Sequence, residues 1–209
     1  MLPTKTLTRE TIMAQTHDHE IVSIYPFTED EVESLTTHAI EAVLMWTTKD
    51  GWPVGVTHAF LWHEDKLWLT FASHRHRAAA IRRDNRVSVN ISSASYPASA
   101  PKGLPSGAIT FKGTGEFLDD DDTKDWFYRA LATKVGQGVK EVEEGFYQLL
   151  DSPLRTILAV TPVKRIMYNA GLANQHIAGT ANEKDLGKRL TSDAKRMNTE
   201  RKERGLDPR

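Results

Sequence analysis

A mainly β fold, an antiparallel barrel or sandwich with helices at its periphery, is what the sequence predicts, and three observations predict it. Lys49-Asp50-Gly51 joins two apolar runs, and Asp-Gly is among the strongest short signals for a hairpin. Glu64-Asp65-Lys66 turns the second run into a third, so three antiparallel strands follow one another as a meander. The stretch 67–91 then reads as strand, basic turn, short helix and strand. Leu67, Leu69 and Phe71 alternate with Trp68 and Thr70 at the strand period, as Val87, Val89 and Ile91 do with Ser88 and Asn90.

The elements follow in order. Residues 1–26 are polar and short of periodicity, with His17-Asp18-His19-Glu20 ahead of a small apolar group, and read as an arm. Thr28 with Glu31 three positions on makes a capping box, and Val32, Leu35 and Ile40 carry a one-sided stripe, predicting a helix over 29–40. The strand returning from the hairpin covers 54–63, with Pro53 tolerable only at its start or on an edge. A strand at 86–93 gives way to a loop rich in Ser, Ala, Pro and Gly over 94–106. Ala108 to Leu118 forms another strand, in which Gly113 and Gly115 predict a bend or bulge.

Asp119 to Asp122 offer N-caps and favourable charge for a helix over 122–135, whose apolar face is Trp126, Phe127, Ala130 and Leu131. Gly136-Gln137-Gly138 breaks it, and a second helix over 141–150 ends before Ser152-Pro153. Two β-rich segments, 155–161 and 163–168, are separated by Pro162. The inventory is six or seven strands and four helices. From Ala181 the chain carries nine Lys or Arg among 29 residues and few large apolar side chains, which predicts a tail that is disordered or helical only against a partner. The expected organisation is an arm over 1–26, one domain over 27–172 and a charged tail over 173–209.

A chain of 209 residues can build one sizeable core. Its 27 Lys plus Arg against 28 Asp plus Glu leave a formal charge of −1, so there is no global pull toward nucleic acid or a membrane surface. The absence of cysteine excludes disulfides, thiolate metal sites and a cysteine nucleophile. No apolar run is long enough to span a bilayer, and MLPTKTLTRE lacks a signal pattern, so a cytoplasmic protein is expected.

Eight histidines invite a metal site, but His74/His76 and His17/His19 are spaced by two, and no His-Glu-x-x-His exists; no metal is expected. There is no Gly-x-Ser-x-Gly elbow, no Walker loop and no Gly-x-Gly-x-x-Gly, since Gly113-Thr-Gly115 runs on into Glu-Phe-Leu. The six acids of the basic tail and its lack of aromatics argue against nucleic-acid binding. What is left is the turn Ser73 to Arg77, where hydroxyl and cationic donors meet the start of a helix with unpartnered N–H groups, a favourable place for an anion.

Helix, Asp-Gly hairpin, meander, basic turn and a final Asp84-Asn85-Arg86-Val87-Ser88-Val89 together resemble the FMN-binding split β-barrel family typified by pyridoxamine 5′-phosphate oxidase, within the flavin and deazaflavin oxidoreductases. The resemblance runs from Glu29 to Gly171. It includes a "DG-x-P" hairpin, here Asp50-Gly51-Trp52-Pro53, and a strand–turn signature, here Thr70-Phe71-Ala72-Ser73, Arg77 and Ala80-Ile81. The resemblance implies a homodimeric flavoprotein oxidoreductase with FMN at the subunit interface and a small organic substrate.

It also implies residue roles. Val56, Thr57 and His58 would meet the ring and ribityl chain, and Phe71, Ala72 and Ser73 would continue that wall. Ser73 and Arg77 would hold the phosphate, with Arg75 or His76 supplementing them. Thr110 or Phe111 and Tyr168 would come from the second chain. No catalytic side chain is implied, His58 and His76 being the candidates for a proton donor. After Gly171 the chain departs from pyridoxamine 5′-phosphate oxidases proper: Leu172 to Gly179 stands where an Arg- and His-bearing segment would grip the substrate phosphate, which points away from vitamin B6. Alternative cofactors are coenzyme F420, suited by Arg75, Arg77 and the 94–106 loop, and haem with His58 or His76 as axial ligand, as enzyme or as non-enzymatic binder. Trp46, Trp52, Trp62 and Trp68 read as barrel core or dimer contact, or as walls for a flat aromatic substrate.

Overall fold

The structure, a computed structural model, describes residues 25–188 and 190–208; His17 and His19 lie outside them. Helix α1 (Glu29–His38) opens the chain, and its start is the capping box read from the sequence. Glu31 N–H donates to Thr28 Oγ1 at 3.2 Å, and Thr28 N–H donates to the Glu31 carboxylate at 2.8 Å. It ends two residues earlier than expected, because the extended Ala39 leads straight into a strand.

Strands β1 (Glu41–Thr47), β2 (Pro53–His63) and β3 (Lys66–Ala72) form the meander, with Pro53 at the strand start where its missing N–H costs no ladder bond. Helix α2 (His76–Arg83), β4 (Arg86–Ser92), β5 (Gly107–Leu118), α3 (Asp121–Gly136), α4 (Lys140–Leu150) and β6 (Arg155–Asn169) follow. The six strands close into a barrel in the order β1-β2-β3-β6-β5-β4, every pair antiparallel. The mainly β prediction therefore holds as a closed antiparallel barrel.

Two details differ from expectation. The segments on either side of Pro162 are one strand, not two. Gly113 pairs with Pro162 and Lys112 with Lys164, so Val163 is the extra residue of a bulge that absorbs the proline. Gly113 is required there, since a Cβ would lie 2.5 Å from Thr161 O. Two further helices also exist beyond the four expected: α5 (Ala170–Ile177), capped by Asn169 Oδ1 on Leu172 N–H at 3.1 Å, and α6 (Thr191–Glu203) in the charged tail. Helix α6 is supported by its own i,i+3 and i,i+4 pairs, Arg196–Asp193 and Arg204–Glu200.

Alternation decides the two faces. Leu44, Phe60, Leu67, Leu69, Ile91, Ile109 and Phe111 point inward and are fully buried. Each such side chain contributes about 1.5–3 kcal/mol by burial. Trp68, Ile157 and Ala159 face outward, where α3 and α4 cover them with Phe127, Leu131 and Leu150. The tryptophans divide accordingly. Trp46 and Trp68 are buried, Trp62 stacks on Phe111 and donates to Glu33 at 2.8 Å, and Trp52 stands exposed at the hairpin tip. No helix among the described residues is long and apolar enough to cross a membrane.

Candidate functional site

The barrel parts along one seam. β2 and β3 pair only from Phe60↔Leu69 to His63↔Lys66, whereas β2 stays on β1 down to Pro53 and β3 stays on β6 up to Ala72↔Arg155. Val56, Thr57 and His58 thus lie on one lip of an opening and Phe71, Ala72 and Ser73 on the other. The basic turn leaves from the second lip, where Ser73 N–H is fixed to Leu154 O at 2.7 Å.

Arg77, in the first turn of α2, folds back into this opening. Its Nη1 lies 2.7 Å from His58 Nε2, and its guanidinium sits over the rings of Trp46 (5.8 Å) and Phe71 (5.5 Å). A guanidinium can only donate, so His58 accepts through Nε2 and its ring is neutral. Burial first, then the charges of Arg77 and Arg155, push the His58 pKa down to about 4, against a weaker opposing hydrogen bond that the ring donates to the Thr70 backbone carbonyl. Arg77 is itself pushed downward by burial and by Arg75, yet an arginine keeps its charge. Among the described residues no carboxylate lies within ion-pair distance of it. Arg75 and His76 stand exposed at the start of α2, which no side chain caps.

Two expectations change here. His58 is an acceptor with a depressed pKa, which makes it a poor proton donor near neutrality, and its Nε2 is taken by Arg77 rather than free for iron. The Phe71 ring is 3% exposed and packed against His58 and Phe117, so it belongs to the core and meets the opening only beneath the Arg77 guanidinium.

Thr110 and Tyr168 lie elsewhere. The register Thr57↔Val43, Val43↔Asn90, Asn90↔Thr110 and Thr110↔Ile166 places one row across the outer face of β2, β1, β4, β5 and β6. Three strand spacings put Thr57 and Thr110 about 14 Å apart. Asn90 Nδ2 donates to Thr110 Oγ1 at 2.9 Å. An open groove of about 820 Å³ runs past Met45, Ser88, Thr110 and Lys112. Ile166 and Tyr168 are both about half exposed, and Tyr168 meets Tyr25 edge-on at 5.9 Å. Tyr25 OH in turn lies 3.1 Å from His176 Nδ1 on α5. Within one chain, therefore, Thr110 and Tyr168 do not join His58 and Arg77.

Arg155 carries no signal in the sequence. No motif surrounds it, and only its pairing with Ala72 brings it beside the seam. Its Nε donates to Leu149 O at 3.3 Å, burial pushes its pKa down, and among the described residues it too has no carboxylate partner. No group of three metal-ligating side chains occurs among the described residues.

Residues 28–168 match the family described as pyridoxamine 5′-phosphate oxidase. Among solved structures, the conserved hypothetical protein Rv2991 from Mycobacterium tuberculosis is similar with a TM-score of 0.58 and 14% identity, over 80% of this chain and 96% of that one. ChuZ from Campylobacter jejuni is similar with a TM-score of 0.54 and 12% identity, over 68% of this chain and 55% of that one. At such identities the likeness is one of fold. No curated protein matches the sequence.

Proposed function

Because the chain belongs to the pyridoxamine 5′-phosphate oxidase family, we propose that it is an FMN-dependent oxidoreductase acting on a small organic substrate, with the flavin held at the seam between β2 and β3. One observation carries the assignment of the site. Arg77 is a permanent, part-buried charge whose hydrogen-bond acceptor is a neutral imidazole, and a buried charge without a counter-ion is costly. A phosphate beside it would supply the missing anion.

The residues present fit that group. Arg77 offers a fork and Ser73 a hydroxyl, while Arg75 and His76 add charge from the solvent side at an uncapped helix start. Val56, Thr57, His58 and Ala72 form the lips of the opening along which the ring and chain would lie. When bound, FMN supplies hydride or electron transfer through its N5 position. His58 contributes as a fixed, uncharged wall that orients Arg77.

Ile166 and Tyr168, both about half exposed, and the half-buried Thr110 share one outer face, which suits a second copy docked by a two-fold axis so that each chain lends Thr110 and Tyr168 to its partner's flavin. F420 would use the same cationic turn.

The purified protein should show flavin absorbance or acquire it on titration with FMN, and the bound flavin should be reduced by a nicotinamide donor. A protein that takes up neither FMN nor F420 sinks the assignment. A flavin that binds but cannot be reduced makes the protein a carrier.

A further inference from the structure

On the outer side of the seam, a cavity of about 330 Å³ separates β2 from the α3/α4 pair. Its size is at the lower end for small-molecule pockets, enough for a one- or two-ring compound. Leu131, Val135, Phe146 and Leu150 from the helices make one wall apolar. The opposite side is polar and converges from three strands: Thr57 and His58 on β2, Thr70 on β3 and Arg155 on β6.

These polar groups are not equivalent. Thr70 Oγ1 spends its proton on Thr156 O at 2.9 Å, and the neutral His58 already accepts from Arg77. Arg155 uses its Nε on Leu149 O, while its two Nη groups have no hydrogen-bond partner among the described residues. The Thr57 hydroxyl is likewise without one. Glu41, the acid that lines the cavity, lies exposed at its rim. An apolar slot that ends on an unpaired guanidinium fork and a free hydroxyl is built for one ligand chemistry.

We propose that this cavity is the substrate pocket and takes a one- or two-ring organic acid, its carboxylate bidentate on Arg155 with Thr57 donating to the same group. As a substrate pocket it rests on the flavin assignment, because His58 is the shared wall between the Arg77 turn and the cavity. The binding chemistry itself does not need the flavin. Arg155 is then a specificity residue, selecting acids over their neutral isosteres, which leave the guanidinium desolvated and unpaired.

The test is a fluorescence titration of the full-length protein, without added flavin, using 2-naphthoate and its neutral isostere 2-naphthamide. The acid should bind at least tenfold more tightly. Arg155→Met should remove that preference while the protein's affinity for FMN, titrated separately, stays as it was. Leu131→Trp, which fills the apolar end, should weaken both probes. Equal binding of acid and amide, or no binding of either, overturns the proposal. So does an Arg155→Met protein that keeps 2-naphthoate but loses FMN, which would assign Arg155 to the flavin phosphate. The acid/amide comparison on the unaltered protein decides the matter even if Arg155→Met does not fold. Acid-selective binding to a protein that takes up no flavin would leave this pocket standing and remove the flavin assignment alone.

Discussion

Arg77 and Lys134 are two part-buried cations set over aromatic rings, and they differ in what their surroundings allow. Lys134 Nζ donates to Thr36 O at the end of α1 at 2.9 Å and lies 3.9 Å from the Phe60 ring centroid. Arg77 meets His58 and the rings of Trp46 and Phe71. Neither has a carboxylate partner among the described residues. Burial pushes the Lys134 pKa down to about 7, so the amine can shed its charge and persist as a neutral pin between α3 and α1. Arginine has no such exit. A buried lysine can limit its electrostatic cost by giving up its proton, whereas a part-buried arginine beside a neutral histidine keeps its charge and calls for an anion.

Removing the ring on which Lys134 stands has the largest expected effect. Phe60→Ala takes the ring from beneath Lys134 and opens the barrel core, and should cost about 3–5 kcal/mol in denaturant unfolding at any pH. A loss below about 1 kcal/mol would mean that the ring is not buried as described.

Next are the two pH signatures, which should have the same sign in different windows. Between pH 4 and 6.5 the unfolded chain protonates His58 while the folded one does not, so stability should fall as pH drops through that window, by roughly 2–3 kcal/mol in all. Between pH 7 and 10.5 the unfolded chain keeps the Lys134 proton that the folded chain releases. Stability should therefore rise with pH there, with a slope approaching about 1.4 kcal/mol per unit. Lys134→Met should flatten the alkaline rise and leave the acid fall intact. An unchanged alkaline slope would break the contrast between the two cations.

Arg77→Ala should weaken FMN by about 1.5–3 kcal/mol, the scale of a charged hydrogen bond, with Lys134→Met giving no change in FMN affinity. Equal effects from both would show that the turn is not special. The smallest change is at the far end of the helix that Lys134 pins, where Thr28→Ala should cost about 1 kcal/mol through the lost cap.

Much of the barrel was legible because local chemistry and final position agree. Asp50-Gly51 needs positive φ, and Gly51 has it at 88°. Thr28 and Glu31 satisfy each other within four residues. The errors arose where distant parts decide. Pro162 divides a strand by propensity, yet the opposing Gly113 lets β5 approach closely enough to carry a bulge past it. Helix α5 is short and contains Gly171, and it depends on Asn169, which is held between Glu31 and Leu172. At the site, Ser73, Arg75, His76 and Arg77 were readable as a cationic turn, but the contact of Arg77 with His58 across the opening was not.

By itself the sequence determined the meander, the cationic turn and the family, because hairpin signals, strand alternation and charge are local properties. Tertiary structure alone decided that Arg77 points inward onto His58, that β2 and β3 part beyond Phe60, and that Arg155, 78 positions from Arg77 in the chain, reaches the same seam. Those outcomes follow from which strands share hydrogen bonds and which side chains exclude water, and neither is written in any short stretch of residues.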